Sequence, residues 1–510
     1  MPFIRKNTTK RRRKTGGKAI AAGGFGCVFD PVIPCNLSKT IKKITPKTSE
    51  PLVTKMLFSA DAYDEGREAE RIYKAVKSIP KNQNYFLFPT VECKPERFTE
   101  SDLVDYTEKC SKMSRNFPKK QLLDGSALNG VSILNMPNGG MDLHNYIKKI
   151  GSSPTICAYV IAGLANLIEK AVIPMNKKNI CHADLKGENI MINVQGKLKI
   201  IDWGLGGIVS ESRGSVRASF LKNRPFQFNS PFTLPFIGGF KTYFDATSPA
   251  RQLQLETSSS PNDVNIAQIV NSYLINQLSF NLSGSDLPGH LGYIEQNYAE
   301  PILGCCISGR DRIQSAKNTY RQLILNYISE AVSAFTDKGK FMNNEYLKKV
   351  FIPNADLWGV LVTLYSFLDK SITGVKEIEK NAITMVIKEY LFSSKYAAKP
   401  MPSKEIVKSL KLIAVSILKG SNINESRAAL PIEWQNNLVE WLSDSSFARQ
   451  FTEKSKAVEK SKTTVKKKPA KKATTVKRSP VGKKSSTPKR KSRCPNGTRR
   501  NKKTGNCEPV

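Results

Sequence analysis

Apolar and polar positions along the chain change period several times, and the changes divide it. After a Gly-rich turn, two short apolar runs end near Phe29 and Met56 and read as strands; a helical period follows over 61–78. The run from Tyr85 to Val91 reads as another strand. Val131 to Met136 reads as a further one, leading into the turn-forming Pro137-Asn138-Gly139-Gly140. From Ser153 the period is helical, with Ile156, Val160, Ile161, Leu164, Leu167 and Ile168 on one stripe. The same period predicts helices at 263–278, 317–336, 356–369, 376–391 and 404–418. Residues 19–136 therefore form a small β-rich lobe with one main helix, and 137–453 a larger, mainly α lobe. Two stretches interrupt the pattern. Residues 94–129 are polar with dense charge, and about 235–350 carries Ser/Gly/Pro clusters and is too long for a connector; both read as insertions.

Charge changes this picture only at the ends. The chain has 510 residues, 80 Lys/Arg against 43 Asp/Glu, and a net charge of +37. Residues 1–18 hold eight Lys/Arg and no acid, and 454–493 hold seventeen basic residues and one acid. Both have too little apolar content to offset chain entropy, so they read as a disordered basic arm and a basic low-complexity tail. Residues 494–510 form a basic motif flanked by Cys494 and Cys507. Lys/Arg arms of this kind bind phosphate backbones without reading sequence, so non-specific nucleic acid is an expected partner.

Ten cysteines are scattered without a framework spacing, which points to a reducing compartment. No apolar h-region follows the basic run at 10–14, and the apolar stretch from Leu357 to Leu368 is short for a membrane span. The expectation is an intracellular protein, neither secreted nor membrane-bound.

The chemistry concentrates in Cys181-His182-Ala183-Asp184-Leu185-Lys186-Gly187-Glu188-Asn189 and Asp202-Trp203-Gly204. Phosphoryl transfer needs a group to take the incoming hydroxyl's proton, oxygen ligands for a divalent metal, and a cation on the other phosphates. Asp184 and Asn189 lie five apart with Lys186 between them. The strands Ile190 to Asn193 and Lys197 to Ile201, joined by Gln195-Gly196, form a hairpin that returns Asp202 towards Asn189. Lys55 lies in the apolar strand around Leu52 to Met56, where a buried amine wants a carboxylate. On the 61–78 helix Glu68 shares the face of Ile72 and Val76 and is the chosen partner, with Glu70 as the fallback.

In order and spacing these segments resemble the catalytic and metal-binding loops of eukaryotic-type serine/threonine protein kinases. The resemblance implies a bilobal kinase-like α+β fold, ATP with Mg²⁺ or Mn²⁺, and a protein substrate. It implies that Asp184 accepts the hydroxyl proton, that Lys186 contacts the transferring phosphate, and that Lys55 holds the nucleotide's phosphates with Glu68 as its partner. Asn189 and Asp202 become the metal ligands. Gly23, Gly24, Phe25, Gly26 and Val28 resemble the phosphate-covering Gly-rich loop. The hinge backbone between Asn135 and Asn138, with Met136, is expected to bond adenine, and Asp142 to reach the ribose or to cap a helix. His182 reads as a packing residue. Asp356-Leu357-Trp358-Gly359 resembles the helix start whose aspartate holds the catalytic-loop backbone.

The departures are as specific. Ala183 stands where such kinases commonly carry the arginine that reads activation-loop phosphorylation, which predicts control by other means. Trp203 replaces phenylalanine, and Ser230-Pro231-Phe232 lacks the usual closing glutamate. The stretch 224–232 and the 493–507 motif resemble divergent kinases of large cytoplasmic DNA viruses, placing the chain in the host cytoplasm or virion. Two other readings stand beside this one. Lys186 and the 356–359 motif disfavour a kinase-fold phosphotransferase acting on small molecules, and the retained lysine and metal ligands disfavour a pseudokinase serving as a basic packaging protein.

Overall fold

The computed structural model describes residues 17–22, 26–39, 41–46, 50–212, 215–217, 219–247, 263–284, 286–304, 311–420, 430–443, 498–500 and 507–509. The basic arm through residue 16, the tail at 454–493, Cys494, and Gly23, Gly24 and Phe25 lie outside these residues.

The N-terminal part is one antiparallel sheet of β1 (Lys18–Ala22), β2 (Gly26–Asp30), β3 (Lys42–Lys43), β4 (Leu52–Phe58), β5 (Val91–Cys93) and β6 (Val131–Pro137), in the order β1-β2-β4-β6-β5-β3. Successive side chains of β4 and β6 face opposite sides. Leu57 and Leu134 face helix α1 (Ser59–Val76) with its Ala62, Ala69, Ile72 and Val76. Met56 and Ile133 face the other way, onto Phe98, Leu103, Tyr106, Cys110, Met113 and Leu122 of the 94–129 insertion. That insertion folds into short helices, Tyr106–Lys109, Ser111–Asn116 and Lys119–Asp124, and gives the outer face of the sheet a core of its own.

Two expectations need correction. Tyr85 to Val91 is not a strand: only Val91–Cys93 pairs in the sheet, and Phe86 makes an isolated bridge to Ile200. Its apolar residues are buried because they fill the junction between the two parts, where Phe88 packs on Trp203. The cysteines are not all free thiols either. Cys27–Cys110 and Cys35–Cys93 are disulfides with Cα separations of 5.6 and 5.7 Å, each joining the 17–35 segment to the region of the insertion.

The C-terminal part is mainly helical. Helix α2 (Leu143–Ile150) precedes α3 (Pro154–Leu167), which begins where Ser153 Oγ accepts the Ile156 N–H and Pro154 occupies the first turn. The helical runs 154–176 and 343–368 are long and apolar enough to cross a membrane, longer than the sequence reading allowed, but 78% and 89% of their apolar windows are buried in this core. Helices Asp263–Leu278, Gly289–Asn297, Ala299–Leu303 and Arg312–Ala334 build much of the 235–350 insertion and join the same core. There Arg321 donates to Glu295 (2.5 Å) in a buried pair. The C-terminal unit, from Ser455, contains the antiparallel pair Thr498–Arg500 and Cys507–Pro509.

Candidate active site

The catalytic-loop segment leaves β7 (Ile180–Cys181) and ends at Asn189, ahead of β8 (Ile190–Ile192). Strand β9 (Leu198–Ile200) pairs antiparallel with β8, Ile200 opposite Ile190, so this hairpin carries Asp202 back to Asn189. The loop is shaped by a buried carboxylate. Asp356, on helix α4 (Ile352–Leu361), accepts the N–H groups of His182 (3.0 Å) and Ala183 (2.9 Å) and the Asn176 amide (2.8 Å). Ala183 is thereby held at φ 59°, a conformation costly for a residue with a Cβ. Gly359 of the same helix lets the loop lie close: a Cβ there would stand 2.5 Å from the Leu185 carbonyl oxygen. His182 packs on Trp203 with ring centroids 4.7 Å apart, its Nε2 bonded to the Ile201 carbonyl (2.8 Å) and its Nδ1 accepting the Asp184 N–H.

Within this frame Asp184 is surrounded by donors. Asn189 Nδ2 donates to its carbonyl (2.8 Å) and to Oδ2 (3.0 Å), and Lys186 Nζ lies 3.1 Å from Oδ2. On the other oxygen, Oδ1, Asn229 Nδ2 donates at 2.8 Å.

Lys55 on β4 reaches into the same cleft. Its Nζ donates at 2.8 Å to both Glu65 oxygens and at 2.8 Å to Asp202 Oδ1. The partner is Glu65, not Glu68 or Glu70. Glu68 pairs with Arg71 (2.7 Å) and Glu70 with Lys74 (2.6 Å), whereas Glu65, which Lys55 reaches, is 8% exposed. Burial opposes the charge on Lys55, but Asp202 and Glu65 outweigh it and raise its pKa. Burial likewise works against Asp202's charge, and Lys55 more than offsets it, leaving that carboxyl below its ordinary value. For Glu65 burial prevails over Lys55 and its carboxyl is raised.

Asp202 itself has φ 62°, and the next residue fixes it. Trp203 is buried, stacks on Phe88 at 4.8 Å and donates its indole N–H to the Leu87 carbonyl (2.9 Å), a bond phenylalanine cannot make. The oxygens of Asp202 and the Asn189 Oδ1, turned away from Asp184 because Nδ2 makes both contacts there, are hard donors. Two such protein ligands suit Mg²⁺, which keeps water and phosphate oxygens in its remaining positions.

On the nucleotide side, Gly26 is buried against β4, where a Cβ would stand 2.5 Å from the Met56 carbonyl oxygen. Val28 pairs with Lys55 across β2 and β4. The hinge is more occupied than its sequence suggests. The Asn135 carbonyl accepts both the N–H (2.7 Å) and the hydroxyl (2.9 Å) of Thr90, and its side chain is buried against Thr54 and Ile33. The Asn138 N–H donates to the Pro51 carbonyl (2.8 Å), and Pro137 has no N–H to offer. Met136 lies half-buried between them. Asp142 caps α2: Oδ1 accepts the Asn145 N–H (3.0 Å) and Oδ2 its amide (2.9 Å).

Glu65, Asn229 and the indole N–H of Trp203 are the site groups that sequence reasoning missed. Glu65 left a signal, since it continues the stripe of Ala62, Ala69, Ile72 and Val76; Asn229 left none, because it is brought in by tertiary structure.

Residues 130–224 match the protein kinase domain family. Over 99 residues the chain is 33% identical to Mitogen-activated protein kinase kinase 1 of Arabidopsis thaliana, covering 18% of this chain and 25% of that protein. Over 83 residues it is 35% identical to Serine/threonine-protein kinase ksg1 of Schizosaccharomyces pombe, covering 16% of this chain and 13% of that one. The chain thus spans a quarter or less of the length of these two relatives. The kinase-domain match falls on the segment that holds Asp184, Asn189 and Asp202, and both relatives carry the name of protein kinases.

Proposed function

We propose that this protein transfers the γ-phosphoryl group of ATP to serine and threonine hydroxyls of proteins, without a switch that depends on phosphorylation of its activation segment. The observation that carries the reading is the closed set Glu65, Lys55 and Asp202, linked at 2.8 Å and facing the Asp184 to Asn189 loop. A lone buried lysine would be costly; one tied to two carboxylates of different elements is held for use. Lys55 would hold the non-transferred phosphates and Lys186 the transferring one. Asp184 would take the proton of the acceptor hydroxyl as its oxygen bonds to the γ-phosphorus and the bond to ADP breaks. Mg²⁺, held by Asp202 and Asn189, would neutralise the phosphate oxygens. Asp184 has two amide donors that fix its carboxylate, which is what a positioned base requires.

Purified protein incubated with radiolabelled ATP, Mg²⁺ and generic acceptor proteins tests this. Label on serine and threonine that disappears in Asp184→Ala is expected. Equal labelling by the two proteins would overturn the reading, and label on metabolites with none on protein would favour a small-molecule phosphotransferase.

A further inference from the structure

Asn229 holds its segment against the catalytic loop with its own side chain. Asn229 is 1% exposed, and its Nδ2 donates to Asp184 Oδ1 (2.8 Å) and to the Leu185 carbonyl (3.0 Å). A flipped amide would set its oxygen against a carboxylate and a carbonyl, so the network fixes the orientation. The Asn229 Oδ1 is left buried with no donor among the described residues, a cost a packing residue would not carry. One residue earlier, the Phe228 carbonyl accepts the indole N–H of Trp358 (3.1 Å), two residues from the Asp356 that holds His182 and Ala183. One helix therefore braces both the loop and the segment.

Arg224 completes the stretch. It is 8% exposed, its Nη2 donates to Gln227 Oε1 (2.5 Å), and its Nη1 is buried with no acceptor among the described residues.

We propose that Phe228 and Asn229 form a built-in clamp on the catalytic loop, in which Asn229 is a positioning residue for the Asp184 carboxylate. The acceptor side is then assembled without a phosphate on the segment. This rests on the kinase reading, and the two fail differently: failure of that reading is the absence of Asp184-dependent transfer in the wild type.

The test uses the full-length protein. Asn229→Ala is expected to lower kcat about tenfold to a hundredfold, part of the 10²–10⁴ that a positioned base contributes, with KM for ATP and the Mg·ATP thermal shift unchanged. Asn229→Thr, which keeps a donor, should recover most of the loss. In an Asp184→Ala background Asn229→Ala should cost nothing further, since a group acting through Asp184 has no role once Asp184 is gone. Phosphatase treatment of the wild type should leave the rate intact. The clamp is overturned if Asn229→Ala turns over like wild type, if its cost persists undiminished without Asp184, or if phosphatase abolishes transfer. Should Asn229→Ala fail to melt cooperatively, Asn229→Asp, of the same shape but without the donor, decides: wild-type kcat refutes the clamp and a matching loss supports it.

Discussion

Lys55 has two carboxylates at 2.8 Å, and one of them arrives by a rule the helix itself obeys. At about 100° per residue, Glu68 lies about 40° from Ile72 on the wheel, and Glu65, seven residues before it, about 20°. Both share the face loosely. Only the stripe anchored on Ala62 and Ala69 as well as Ile72 separates them, and small alanines are easily passed over as evidence of burial. The consequence is measurable. Glu65→Gln should lower kcat/KM for ATP about 100-fold, about 2.7 kcal/mol, because Lys55 is then drawn onto Asp202 alone. Glu68→Gln breaks an exposed pair with Arg71 and should change the rate less than threefold, consistent with about 0–1 kcal/mol for such pairs. Steady-state labelling of both variants checks this, and a larger defect in Glu68→Gln would refute the assignment. Asp184, Lys186, Asn189 and Asp202 were legible because short loops and one hairpin bring them together; Asn229, 45 residues from Asp184, was not.

At the scale of elements, the strand misread at Tyr85 to Val91 and the Trp203 substitution turn out to be one feature. The run Phe86-Leu87-Phe88 is apolar because it receives Trp203, and periodicity cannot tell a buried junction from a buried strand. Trp203→Phe keeps the aromatic contact but leaves the Leu87 carbonyl without its donor. It should destabilise the protein by about 1–3 kcal/mol, read as a lower urea midpoint with unchanged slope. An unchanged midpoint would show that the bond contributes nothing. Asp142 poses a similar choice between two roles. Both of its oxygens are occupied by Asn145, so Asp142→Ala should cost about 0.5–2 kcal/mol of stability as a lost N-cap and leave KM for ATP unaltered. A several-fold rise in KM without loss of stability would instead assign Asp142 to the ribose.

For the molecule as a whole, the α+β division and most helices followed from periodicity, but the place of the insertions did not, since a polar stretch shows its charge and hides the few residues it buries. In 94–129 those include Phe98, Leu103, Tyr106, Cys110, Met113, Leu122 and Ala127, enough to cover the outer face of the sheet. Cys27 and Cys110 are 83 apart, a separation from which no pairing can be read. Their position makes the pair more than a staple. Cys27 follows Gly26 and precedes Val28, whose backbone pairs with Lys55, so the crosslink holds the strand next to that lysine. Cys27→Ser/Cys110→Ser should lower unfolding free energy by about 2–4 kcal/mol under non-reducing conditions. The same variant should show a smaller Mg·ATP thermal shift, because the strand beside Lys55 must then be ordered by the ligand as well. Reductant should lower both values of the wild type at least as far, because it opens Cys35–Cys93 too, and alkylation of unfolded, unreduced protein should spare Cys27 and Cys110. Alkylation of both, with no effect of reductant on either measurement, would mean that the insertion is held by its apolar contacts alone.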